Sequence, residues 1–102
     1  MLKMKPNCEH CDLDLPNDSS DAMICSYECT FCADCVSDVL ENVCPNCGGG
    51  FKKRPTRPTK EWREGVSASH QPPSDERYLK PVDLEAHLKF ASKIKKISPR
   101  NR

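Results

Sequence analysis

Apolar side chains are sparse along this chain, and their spacing marks a few short elements. Val36, Val39, Leu40 and Val43 fall at i, i+3, i+4 and i+7, one face of a helix, and predict a short helix over residues 33–42. Met23-Ile24-Cys25 and Thr30-Phe31-Cys32 predict two short strands or a rubredoxin-like turn. Leu84, Leu88 and Ala91 form a second helical row, with Phe90, Ile94 and Ile97 beside it, and predict a helix over residues 83–97. Asp83, following Pro81, supplies its N-cap, and Pro99 ends it. Lys89, Lys93, Lys95 and Lys96 load its C-terminal half with positive charge, which suits the helix dipole.

The stretch between these elements is polar. Lys52 to Lys60 is basic and broken by Pro55 and Pro58, and Ser67 to Asp75 is polar with Pro72-Pro73 inside it. Neither piece can bury enough apolar surface to offset its ordering entropy. The chain therefore divides into a domain over residues 1–51, a basic, proline-rich linker over 52–81 expected to be disordered, and a helical segment over 82–98. Trp62, the single tryptophan, is free to dock on the head or on a partner.

A chain of 102 residues with 36% hydrophobic and 30% charged residues cannot build a large apolar core, so something else must hold the fold. The eight cysteines are the candidate, since all lie between Cys8 and Cys47. Their order is Cys8-x2-Cys11-x13-Cys25-x3-Cys29-x2-Cys32-x2-Cys35-x8-Cys44-x2-Cys47. A CxxC pair is a tight knuckle that aims two thiolates at one ion, and two such pairs close a tetrahedral Zn²⁺ site. Eight thiolates fit two closed sites, and a closed site leaves no position for a reacting water. In Cys44-Pro45-Asn46-Cys47-Gly48, Pro45 presets the turn and Gly48 allows the positive φ that often follows a second ligand. Leu13, Leu15 and Phe51 can join the two strands and the helix in a miniature core around the ions. S4 spacing also suits an iron–sulfur cluster, so the choice between zinc and iron stays open at this level.

Charge divides the chain at the same place. Residues 1–50 carry two basic and nine acidic residues, formally −7, and residues 51–102 carry fourteen basic and six acidic, formally +8. The net charge of +1 hides an acidic head and a basic tail. There is no apolar signal region after Met1-Leu2-Lys3-Met4-Lys5-Pro6, and no stretch long enough to span a membrane, so a cytoplasmic protein is expected. In a reducing compartment dense CxxC pairs read as metal ligands before disulfides.

The ligand order resembles a RING finger: a leading CxxC, a long loop, a second pair, a further CxxC after Phe31, a short helix and a terminal CPxC. That resemblance implies a RING-like or treble-clef α+β fold with two interleaved Zn²⁺ sites. It implies Cys8, Cys11, Cys32 and Cys35 on one ion and Cys25, Cys29, Cys44 and Cys47 on the other. Cys29 stands where most RING fingers have histidine. Over residues 1–58, Pro6-Asn7-Cys8-Glu9-His10-Cys11, Asp14-Leu15-Pro16, Ile24 to Cys32 and Cys44 to Gly49 are similar to a family of small cysteine-rich bacterial proteins catalogued as a domain of unknown function. That likeness implies a fold and no activity.

Ubiquitin-ligase activity is not expected, because Glu9-His10 replace the usual apolar residue of the first knuckle and Gly48 follows the last ligand. His10 reads as a solvated side chain between two ligands, and no acid or nucleophile is expected near His70 or His87, so catalysis is not expected. The expected function is a non-enzymatic protein-interaction or adaptor module. The alternatives are nucleic-acid binding through the basic tail and thiol redox chemistry. Trp62, Tyr78 and Phe90 are too sparse for a base-stacking platform. The helix could instead meet a partner through Leu84, Leu88, Ala91 and Ile94.

Overall fold

The computed structural model describes residues 1–102. Three short strands form one antiparallel sheet: β1 (Ala22–Ile24), β2 (Thr30–Cys32) and β3 (Lys52–Lys53), in the order β2-β1-β3. Met23 lies opposite Phe31 on one side and Lys53 on the other. The two expected strands therefore form, joined by a turn in which Glu28 takes a positive φ of 68° and Cys25 N–H donates to the Cys29 carbonyl at 3.2 Å. β3 is an exposed pair of lysines that no apolar pattern marks. Its pairing carries the sheet two residues past the boundary expected at residue 51, and Arg54 N–H extends the pairing to the Ala22 carbonyl.

Helix α1 (Ala33–Asp38) follows β2 directly. It is shorter than the expected 33–42. Glu41 and Asn42 adopt positive φ values of 52° and 58°, and the Leu40 and Asn42 N–H groups fold back onto the Cys35 and Val36 carbonyls. This reversal ends the helix and drops Leu40 and Val43 into the core, so the apolar spacing is satisfied by a helix plus a turn. The core is built as much from sulfur as from hydrocarbon: Leu15, Ala22, Phe31, Val36, Leu40 and Phe51 surround six buried cysteines. Phe31 and Phe51 meet edge to face, with ring centroids 5.6 Å apart.

Residues 52–81, expected as a disordered linker, take little regular structure, and the chain lies against the head. Arginines make the contacts, donating to backbone carbonyls where apolar burial is lacking. Arg54 donates to the carbonyls of Lys5, Leu15 and Pro16, and Arg57 to those of Leu2 and Gln71. Trp62 remains exposed, with the Lys60 ammonium 5.8 Å from its ring centroid.

Helix α2 (Leu84–Ile94) begins at Asp83, whose side chain accepts from Ala86 N–H, as the N-cap expectation requires. It ends three residues before the expected Ile97. Its buried stripe also differs: His87 and Ala91 face the head, while Leu84 and Leu88 stay 56% and 58% exposed. The register is set by polar contacts at both ends of the stripe. The buried His87 Nε2 lies 3.0 Å from the Leu40 carbonyl, and the Lys95 ammonium pairs with Glu41 at 3.3 Å. A 3₁₀ turn (Pro99–Asn101) closes the chain, and Arg102 donates to the Asn42 carbonyl at 2.7 Å.

Candidate metal centres

Two hairpin knuckles present the first and last cysteine pairs. In the first, Cys8 N–H donates to the Leu13 carbonyl and Leu15 N–H to the Pro6 carbonyl, both at 2.8 Å. Asp12, immediately after Cys11, takes a positive φ of 67°. In the last, Gly48 N–H donates to the Cys44 carbonyl at 2.8 Å, and Gly48, immediately after Cys47, has a φ of 77°. The left-handed residue expected at Gly48 is therefore present, and Asp12 fills the equivalent place in the first knuckle at a cost glycine avoids. β2 and the start of α1 carry Cys32 and Cys35, and the β1–β2 turn carries Cys25 and Cys29.

The fold gathers these sulfurs into two groups. The Sγ atoms of Cys8, Cys11, Cys32 and Cys35 all lie within 4.8 Å of one another. Those of Cys25, Cys44 and Cys47 form the second group under the same bound. The groups interleave along the chain: the first and third pairs meet, and Cys25 of the second pair meets the fourth. Cys29 stands beside the second group without closing to the same bound, and its Sγ accepts from Asn46 Nδ2 at 3.4 Å. Cys11 and Cys47 are exposed and the other six are buried.

The chemistry of the donor set fits a thiophilic cation. Zn–S bonds of about 2.3 Å place tetrahedral sulfurs about 3.8 Å apart, and Cys11 and Cys32 are separated by 3.7 Å. Backbone donors are aimed at the sulfurs: Tyr27 N–H at Cys25, Asn46 N–H at Cys44 and Gly49 N–H at Cys47, at 3.3 to 3.5 Å. Such donors favour thiolate over thiol. At Cys8, burial raises the pKa, but the backbone N–H groups around it prevail and hold it below the usual thiol value. At Cys35 and Cys44 burial dominates and pushes the thiols well above that value. All eight are free thiols.

The histidines are arranged differently from expectation. His10 is not simply solvated, because its Nδ1 accepts from Val82 N–H at 2.9 Å and ties the tail to the first knuckle. His70, expected to stand apart from acids and nucleophiles, has Glu61 Oε1 3.0 Å from Nε2 and Ser67 Oγ 2.8 Å from Nδ1. A tight turn makes this grouping, with His70 and Gln71 N–H both donating to the Ser67 carbonyl. Ser67 is 1% exposed, and its hydroxyl is shared with Ser69 at 2.8 Å. Spacing of residue types could have shown His70 three residues from Ser67, but not the return of Glu61.

A three-stranded antiparallel sheet, two short helices and two interleaved thiol clusters suitable for metal ions define a small cysteine-rich α+β protein. Residues 1–57 match the DUF1272 family, described as a protein of unknown function, and the chain belongs to it. An uncharacterized protein of Rhizobium meliloti (strain 1021) is 52% identical over 81 residues, which cover 79% of this chain and 89% of that protein. No solved structure matches the chain. No helix is long and apolar enough to cross a membrane.

Proposed function

We propose that the chain is a zinc-stabilised, non-enzymatic protein-interaction module with a RING-like cross-brace, working in the reducing cytoplasm. The observation that carries this reading is the interleaving of the two thiol clusters along the chain. Cys8, Cys11, Cys32 and Cys35 would hold one Zn²⁺, and Cys25, Cys44 and Cys47, with Cys29 completing the set, the other. Zinc here supplies cross-linking and no reaction, because four thiolates fill its coordination. Binding free energy of about 10–16 kcal/mol per structural site replaces the apolar burial that so small a core lacks.

The Glu61–His70–Ser67 grouping does not alter the non-enzymatic reading. A nucleophilic hydroxyl must reach a substrate, and Ser67 is buried with its hydroxyl shared among neighbours. Nucleic-acid binding through the tail is also disfavoured. Arg54, Arg57, Arg77 and Arg102 are spent on the head's own carbonyls and carboxylates, which leaves fewer cations for phosphate.

Native mass spectrometry with and without chelator tests the reading. Two Zn²⁺ per chain and loss of native circular dichroism on chelation are expected. Retention of that signal after complete zinc removal would overturn it.

A further inference from the structure

The first knuckle holds a second structure on its outer surface: residues 77–82 of the same chain, docked along it. Asn7 is fully buried, and its side-chain amide pairs with the Tyr78 peptide unit in both directions. Asn7 Nδ2 donates to the Tyr78 carbonyl at 2.8 Å, and Tyr78 N–H donates to Asn7 Oδ1 at 3.0 Å. Two residues on, Lys80 N–H donates to the Glu9 carbonyl at 2.8 Å. Two further on, Val82 N–H donates to His10 Nδ1 at 2.9 Å. Donation from alternate residues is the pattern of an extended strand laid along a receptor edge. Pro81, which has no N–H, falls at a position where none is needed.

Side chains add selectivity at one end. The Arg77 guanidinium donates to the Asp12 and Asp14 carboxylates at 2.8 and 2.7 Å and to the Asp12 carbonyl at 2.8 Å. The Tyr78 ring lies beneath the ammonium groups of Lys3 and Lys5, 4.5 and 4.8 Å from its centroid.

Every receptor group lies between Lys3 and Asp14, inside the segment that matches the family, and the docked strand lies outside that segment. The receptor groups therefore belong to the matched domain, and the strand reaches them from the part of the chain that follows it. Its hold consists of part-buried hydrogen bonds to Asn7 and His10 and exposed ion pairs at Arg77, and a competitor that supplies the same groups can replace them. We infer that this knuckle edge is a recognition groove for an extended peptide with an arginine–aromatic pair and a valine four residues beyond the aromatic. Here Arg77–Val82 fills it in cis, so a partner protein bearing such a segment must displace the chain's own strand. The inference rests on the protein-interaction reading and names the chemistry of the partner.

Tethering sets an effective concentration of order millimolar for the cis strand. A peptide added in trans therefore competes poorly until the strand is loosened. Arg77→Glu loosens it by setting three carboxylates together. The probe is a fluorescent peptide of residues 75–83, titrated by anisotropy into the zinc-loaded wild-type chain and the zinc-loaded variant, with NMR amide shifts to locate the site. The variant is expected to bind at least about tenfold more tightly than wild type. The peptide with alanine for its arginine should bind more weakly, and shifts should fall on residues 7–14. Equal affinity for both chains, no binding at millimolar peptide, or shifts centred elsewhere would overturn the groove.

If Arg77→Glu fails to fold, protease sites inserted after Gln71 and after Val82 in the full chain are cut once the protein has folded, which frees residues 72–82 from the hold of α2. Exchange of that severed segment for labelled peptide supports the groove, and no exchange overturns it. Failure with two zinc ions retained removes the groove and leaves the interaction module standing. A wild-type chain without its zinc would instead remove the module.

Discussion

Asn7 and Tyr78, far apart in the chain, exchange a reciprocal pair of hydrogen bonds in which a side-chain amide stands in for a strand. The same Nδ2 also donates to Asp12 Oδ1 at 2.9 Å, so one buried side chain organises the knuckle and receives the tail. Asn7→Leu keeps the volume and removes these bonds, at about 1–3 kcal/mol for unpaired partners. Amide exchange at Tyr78, Lys80 and Val82 should quicken by about tenfold or more, while Phe31 in β2 keeps its protection. Equal acceleration at Phe31 would mean that Asn7 supports the whole head.

Arg54 supports the head in a different way. It is 5% exposed and donates to three carbonyls without meeting a carboxylate. Burial lowers its pKa, but a guanidinium keeps its charge at any ordinary pH. Arg54→Met leaves the carbonyls of Lys5, Leu15 and Pro16 without donors and should destabilise the loaded protein by about 3 kcal/mol. Arg54→Lys, a point donor that cannot span three carbonyls, should recover only part of this. Urea denaturation at fixed zinc measures both.

These two residues mark the limit of what the chain's pattern reveals. The strands at Met23 and Phe31, the Asp83 cap and the turn at Gly48 follow from local propensity and spacing, which act over a few residues. The cysteine pairs were legible because ligand chemistry demands fixed short spacings, whereas which pairs share a site was implied only by the RING resemblance. β3 and the path of residues 52–81 were not, since their partners are backbone carbonyls distant in sequence and composition carries no trace of them. α2 shows the intermediate case. Its period fixed a helix, but the buried stripe turned to His87, because the contacts with Leu40 and Glu41 outweigh the exposure of Leu84 and Leu88.

The cysteines of the second cluster should respond unequally to substitution. Cys44 is buried within the compact second group, whereas Cys29 stands outside its distance bound. Under the zinc reading, Cys44→Ser should lose the second ion and much of the fold. Cys29→Ser should retain that ion in native mass spectra, more readily stripped by chelator. The reverse order would show that Cys29 closes the site more tightly than its position indicates.

Zinc affinity should fall as pH falls, and the direction follows from the thiols. At Cys35 burial raises the pKa. At Cys44 burial, with repulsion from the Cys29 and Cys25 thiolates, outweighs the N–H donors of Asn46 and Cys47. Both are protonated in the metal-free protein at neutral pH, so an ion must displace their protons. An unfolded thiol titrates at roughly 8.5, whereas sulfurs bound to the ion carry no proton. Their contribution to stability is then full above that pH and declines as acid returns the protons. Competition with a chromophoric chelator between about pH 8 and 6 should lower the apparent affinity by more than tenfold per pH unit. A slope of one proton or less would point to a site holding fewer thiolates.

Gly50 tests whether the C-terminal turn is held by shape. A Cβ there would stand 2.8 Å from Pro99 Cγ and 3.0 Å from Pro99 Cβ, closer than packed carbons approach. The proline ring cannot swing aside, so Gly50→Ala must shift the turn that carries Arg102 to the Asn42 and Gly48 carbonyls. Overpacking of this kind costs about 1–3 kcal/mol. Gly65 is the contrasting case: nothing lies within 4 Å of its Cβ position, but its φ is +77°, so Gly65→Ala costs backbone strain alone. Both variants should lose stability, but only Gly50→Ala should speed amide exchange at Asn101 and Arg102. Adding Pro99→Gly should cancel most of the Gly50→Ala penalty, because the clash needs both partners. Additive losses in that double mutant would show that Gly50 acts through its own backbone.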